Sequence, residues 1–173
     1  MTLETTEPLW IDAETKVGDA PADHRAELRL WLRLLTCSTL IETEIRRKLQ
    51  EHFSFTLPRF DLLAQLDKAE DGLVLGEVSK RLMVSAGNVT AIVDRLLASG
   101  QITRNAAPHD RRVQIIRMTP EGRTAFKAMA AQHGDWIGDM FGDLKPGEIE
   151  ALMGLLAKLK TSVRRTISKG QAQ

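Results

Sequence analysis

The sequence predicts a mainly helical protein carrying one small antiparallel β-wing. Three observations predict it. Apolar residues recur every three or four positions through most of the chain, in runs too long for strands. The apolar mass is rich in Leu, while aromatic residues make up only 5%, with no Tyr, which favours helix over sandwich or barrel. The helical period gives way once to a β-branched stretch, VQIIRM (113–118), behind a polar loop.

At 173 residues and 43% hydrophobic, the chain has room for one domain with a real core and a tail. Lys and Arg number 24 against 23 Asp and Glu, which argues against a protein that coats polyanions in bulk and against a disordered acidic chain. The single cysteine, Cys37, rules out an internal disulfide framework. No apolar signal region stands at the start, and no stretch reaches about 18 consecutive apolar residues. A cytoplasmic protein with no membrane partner is the expectation.

Neutrality on average hides a distribution. Residues 1–24 hold six acids and one base, a net of −5, whereas residues 75–119 hold seven bases and three acids, a net of +4. A basic middle in a neutral chain is a local footprint for a polyanion.

Taken in order, residues 1–22 lack periodicity and read as a flexible acidic tail, with Pro8, Gly18 and Pro21. A long helix follows from about Asp23 to His52, with Leu30, Leu34, Cys37, Ile41, Ile45 and Leu49 as its stripe. Cys37 on that stripe reads as buried and inert. A second helix starts around Thr56–Pro58, buries Phe60, Leu63 and Leu66, and stops near Asp71-Gly72. LGEVSKRL (75–82) is a short helix. Met83-Val84 connects it to AGNVTAIVDRLLAS, a helix with Ser85 as N-cap and Gly100 at its end. Gln101–Arg104 reads as a strand, NAAPHDRR (105–112) as an eight-residue loop, and Val113–Met118 as the returning strand. Thr119-Pro120-Glu121 opens another helix, and a last one carries the stripe Ile149, Leu152, Leu156, Leu159, Val163 and Ile167. Gly134, Gly138 and Gly142 recur every fourth residue, either for close packing or as weak points in their helix.

Two short helices joined by a tight turn and followed by a basic ribbon make a winged helix-turn-helix. In its second helix Val89, Ile92, Val93, Leu96 and Leu97 fill one face. The opposite face holds Gly87, Asn88, Ala91 and Arg95, with Thr90 and Asp94 at the borders, and Ser85 precedes it. Small residues let a helix sit deep in a major groove about 12 Å wide, and Asn and Arg offer paired hydrogen bonds to adenine and guanine edges. Arg95 has the alternative of an internal ion pair. Asp94 reads as structural, tying the helix to a wing arginine. At the wing tip, His109, Asp110, Arg111 and Arg112 are the candidate contacts, an Arg there suiting a narrow A·T-rich minor groove. Lys80, Arg81 and Arg104 are candidate phosphate contacts.

The segments LPRFDLLAQL (57–66), LGEVSKRLMVSAGNVTAIVDRLLASGQITR (75–104) and DRRVQIIRMTPEG (110–122) resemble the MarR family of bacterial transcriptional regulators. The most specific part is Asp110-x-Arg112, an apolar strand, then Thr119-x-x-Gly122. The resemblance spans about residues 24–168. One departure is the absence of a Ser or Thr cap before the first helix of the motif, where Val74 or Leu75 stands. The resemblance implies an intertwined homodimer, with helices 23–55 and 120–170 for dimerisation and residues 56–119 for DNA. It also implies a pseudo-palindromic double-stranded operator and release from it by a small effector, an aromatic acid or its CoA thioester. Pocket candidates are Trp31, Leu34, Leu35, Ser38, Arg46, Phe53, Arg59, Phe60, Met129 and His133. The two alternatives are a DNA-binding architectural protein without effector and a redox-responsive regulator using Cys37. Neither a cofactor nor a metal is expected: no His or Cys spacing suits zinc, and no P-loop, nucleophile elbow or dinucleotide motif suggests an enzyme.

Overall fold

The computed structural model describes residues 25–69, 71–82, 86–107 and 109–170. The expected acidic tail, the Met83-Val84 connection and the Ser85 cap lie outside the described residues. Element order is α1 (Arg25–Phe53), α2 (Leu57–Asp67), β1 (Leu73–Val74), α3 (Leu75–Leu82), α4 (Ala86–Ala98), β2 (Ile102–Ala107), β3 (Asp110–Met118), α5 (Pro120–Met140) and α6 (Pro146–Gly170). The chain divides into two compact units, one through Ala131 and one from Gln132.

In the first unit, α1 ends where Ser54 takes a positive φ of 49° and Phe55 N donates back to Leu49 O. This corner lets Pro58 occupy the first turn of α2, where its missing N–H costs nothing. The core comprises Ile45, Leu49, Phe60, Leu62, Leu63, Leu66, Val78, Val89, Val93, Leu96, Ile102 and Ile116. Phe60 meets Phe126 with ring centroids 5.4 Å apart.

The sheet has the antiparallel order β1-β3-β2. β1 is an addition to the expected ribbon: Leu73 and Val74 pair with Ile116 and Ile115. The turn before it requires Gly72, whose φ is +82° and where a Cβ would lie 2.4 Å from Ile116 O. β1 runs directly into α3, so the uncapped start of that helix is held by a strand. The expected loop over 105–112 is corrected as well. Asn105 and Ala106 pair with Ile115 and Gln114, Ala107 pairs with Asp110, and the register shifts at a bulge between Ala106 and Ala107.

In the second unit, α6 buries none of its 25 residues, and Ile149, Leu152, Met153, Leu155, Leu156, Val163 and Ile167 are exposed. α5 runs unbroken through Gly134 and Gly138 to Met140, and no neighbouring atom lies within 4 Å of a Cβ built at either. Only the lower part of the α1 stripe is covered. Ile45 and Leu49 are buried, but Leu30 and Cys37 are exposed, which corrects the buried reading of Cys37. No helix among the described residues is long and apolar enough to cross a membrane.

Candidate nucleic-acid interface

The outward face of α4 is built by the inward one. Val89, Val93 and Leu96 are 1% exposed or less, which fixes the rotation of the helix. Gly87, Asn88, Thr90, Ala91, Asp94 and Arg95 are thereby turned to solvent. On the last turn of α3, Lys80 and Arg81 are exposed, at the end of the helix that favours cations.

The wing projects from the C-terminal end of α4. His109, Asp110 and Arg112 are exposed around its turn. Asp110 Oδ1 accepts a hydrogen bond from Arg112 N at 2.9 Å, so this carboxylate shapes the tip. Arg104 on β2 reaches back to α4, where its Nη1 lies 3.5 Å from Asp94 Oδ1. The wing arginine that Asp94 meets is therefore Arg104, itself a candidate phosphate contact.

Beside α4 lies a cleft of about 410 Å³ lined by Arg46, Thr56, Pro58, Arg59, Asn88, Ala91, Ile92 and Arg95. Arg59 is braced at the α1–α2 corner: Nε donates to Thr56 Oγ1, Nη2 donates to Ser54 O, and the guanidinium sits 4.2 Å over the Phe55 ring. Its pKa is lowered, first by burial and then by the like charge of Arg95. Arg46 pairs with Glu42 on its own helix. Behind them Asp61 is half-buried and its carboxyl is pushed up, first by burial and further by Glu42, with Arg46 opposing. Three guanidinium groups around one cleft make it a place for an anion.

Of the expected effector pocket, only Arg46 and Arg59 line this cleft. Phe60 and Met129 are core residues, and Trp31 and Leu35 stand 56% and 46% exposed. The Ser38 hydroxyl donates to Leu34 O, Leu34 and Phe53 are half-buried on α1, and His133 belongs to the second unit. Thr56 and Pro58 are cleft residues that the apolar pattern did not single out, and the turn sequence Thr56-Leu57-Pro58-Arg59 is the signal that marks them; Ala91 and Ile92, expected on the two faces of α4, also line the cleft. No group of three or more His, Cys, Asp or Glu among the described residues is placed to hold a metal.

The profile of the MarR family matches residues 53–113, from the end of α1 into β3. The transcriptional activatory protein BadR of Rhodopseudomonas palustris is 25% identical over 85% of this chain and 86% of its own length. A MarR-family transcriptional regulator from Silicibacter pomeroyi superposes with a TM-score of 0.71 at 25% identity, covering 83% of this chain and 99% of that one. Residues 53–113 belong to the MarR family. Another MarR-family regulator, Sco3205 of Streptomyces coelicolor, solved in complex with DNA, shares the fold with a TM-score of 0.70 at 23% identity, over 91% and 92% of the two chains.

The structure gives the MarR signature of this chain a physical meaning. Thr119 Oγ1 donates to Gly100 O at 2.8 Å and accepts from Gly122 N at 2.9 Å, while Thr119 N donates to Gln101 O. A Cβ at Gly122 would stand 2.0 Å from Gln101 O. Thr119 and Gly122 thus clasp the start of α5 onto the end of α4, fixing the root of the wing.

Proposed function

We propose that this MarR-family transcriptional regulator is a ligand-responsive repressor, acting in the cytoplasm as a homodimer on a pseudo-palindromic operator. The observation that carries the reading is the two-sided α4. Its apolar face is locked into the core, and its small polar face is exposed to solvent beside a basic wing. Asn88 and Arg95 read base edges, with Gly87, Thr90 and Ala91 permitting close approach and Ser85 leading into the helix. Arg112 at the tip, beside Arg111 and His109, enters the minor groove at the outer edge of each half-site, and Asp110 sets its position. Lys80, Arg81 and Arg104 contact phosphates. Residues 56–119 form the DNA-binding region, and helices 23–55 and 120–170 the dimerisation elements. The exposed apolar side chains of α6 and upper α1 supply the dimer surface.

The effector is an acid, an aromatic carboxylate or its CoA thioester, whose negative charge suits Arg46, Arg59 and Arg95. Because Asn88 and Arg95 line the cleft as well as the reading face, an anion seated there competes with DNA. Titrating aromatic acids and their CoA thioesters into a protein–operator complex tests this. Release by an acid, lost in Arg59→Gln, supports the reading. DNA binding untouched by every acid would leave an architectural protein, and tighter binding on addition would overturn release as the response.

A further inference from the structure

Asp94 is the one acid on α4, and it stands on the side offered to a polyanion. Its partner is Arg104 on β2, ten residues along, at 3.5 Å, with side chains 57% and 39% exposed. An ion pair so open to water adds little to stability, so holding the fold together is a weak reason for it. Its effect on binding is larger. The carboxylate repels phosphate, and it occupies the guanidinium that would otherwise neutralise one. The acid of the wing itself, Asp110, is engaged with the backbone N–H of Arg112. Asp94 also precedes Arg95 directly, so the partner of Arg104 is set by the same helix that carries a base-reading side chain.

We propose that Asp94 is a specificity-determining residue that acts as a charge gate on Arg104. On DNA of arbitrary sequence α4 rides high in the groove, and Arg104 stays with Asp94. On the operator α4 seats fully and brings a phosphate against the root of the wing. Arg104 then exchanges the carboxylate for that phosphate. The gate holds back one phosphate contact from non-operator DNA and grants it to the operator. This inference rests on the DNA-binding reading of α4 and the wing. It adds to that reading a means of discrimination that needs no base contact.

The test compares wild type, Asp94→Asn, Arg104→Gln and the double variant by fluorescence anisotropy. The probes are a duplex recovered by selection from random DNA and a shuffled duplex of the same composition. Salt is varied between about 50 and 200 mM. Asp94→Asn is expected to tighten binding to the shuffled duplex about eightfold near 0.1 M salt. The log–log salt slope on that duplex should steepen by about 0.9, the contribution of one extra phosphate contact. On the operator the slope stays as in wild type. In the Arg104→Gln background, Asp94→Asn leaves the slope on both duplexes unchanged; with Arg104 present, Asp94→Glu keeps wild-type discrimination. Equal tightening on both duplexes, with the same slope change, would overturn the gate and leave Asp94 as a simple repelling charge. No change on either duplex would overturn it too. A wild-type protein without salt-dependent binding to either duplex would overturn the DNA-binding reading, and the gate with it.

Discussion

The winged unit and α6 use similar apolar residues to opposite ends. In the winged unit, Leu62, Leu63, Leu66, Val78, Val93 and Leu96 are 1% exposed or less. In α6, Leu152 and Leu156 are about 40% exposed and Met153 and Leu155 more than 60%. The first region completes its core within one chain; the second presents a stripe that one chain does not cover. A helical period therefore reports which face avoids water, and says nothing of whether the cover comes from the same chain.

The largest effect expected from breaking this contrast is in α6. Leu152→Glu with Leu156→Glu removes four apolar side chains from a two-fold interface, at about 1.5–3 kcal/mol each if fully buried. Sedimentation should show dimer for wild type and monomer for the variant, with operator affinity lower by two orders of magnitude or more. Circular dichroism should show the loss of α6, since an isolated helix of this kind is marginal in water. A dimer that persists would place the interface elsewhere.

Two glycines sharpen the contrast at smaller scale. Gly122→Ala drives a methyl into the Gln101 carbonyl and should destabilise the winged unit by about 1–3 kcal/mol, read as a lower melting temperature. Gly138→Ala meets no atom of its own chain and should stabilise α5 by up to about 1 kcal/mol. A loss of dimer in Gly138→Ala would show that this position meets the second copy.

The smallest effects are on pH. Burial lowers the pKa of His133 in the second unit, so the unfolded chain takes up the proton first as pH falls. Stability should drop with acidification below about pH 6.5, and His133→Gln should flatten that slope. Asp61 in the first unit has the opposite sign. Its raised pKa means the folded state keeps the proton longer, so stability declines as pH rises through the interval above about 3.9. The cost is fully present at neutral pH, where Asp61→Asn should raise the denaturation midpoint.

The elements legible in the sequence are those with enough residues to show a period. α3, α4 and the start of α5 fall where the spacing of Val78, Val89, Val93 and Leu96 and the Thr119-Pro120 pair place them. β1 escaped because two residues have no period, and its register depends on Gly72 and Ile116, far apart in sequence. The wing was legible, but the extension of its strands to Ala107 and Asp110 was not, because Asn105 and Ala106 carry no strand propensity; partner Ile115 and its neighbours impose the pairing. The exposed polar face of α4 was legible since its opposite face is apolar. The cleft was not: Arg46, Arg59 and Arg95 come from three helices, and only the α1–α2 corner brings them together. Phe60 and Met129 looked like pocket lining and are core, because an apolar side chain carries no mark of which cavity it faces.

On this reading one face of α4 reads DNA while the other holds the unit together. Selection of duplexes from a random library with wild type and Asn88→Ala tests it most directly. Asn88 is exposed, so the melting temperature should stay as in wild type. The preferred bases should change at one symmetric pair of positions, with about 1–3 kcal/mol of discrimination lost there and the rest of the operator intact. An unchanged base preference in the variant would contradict the account.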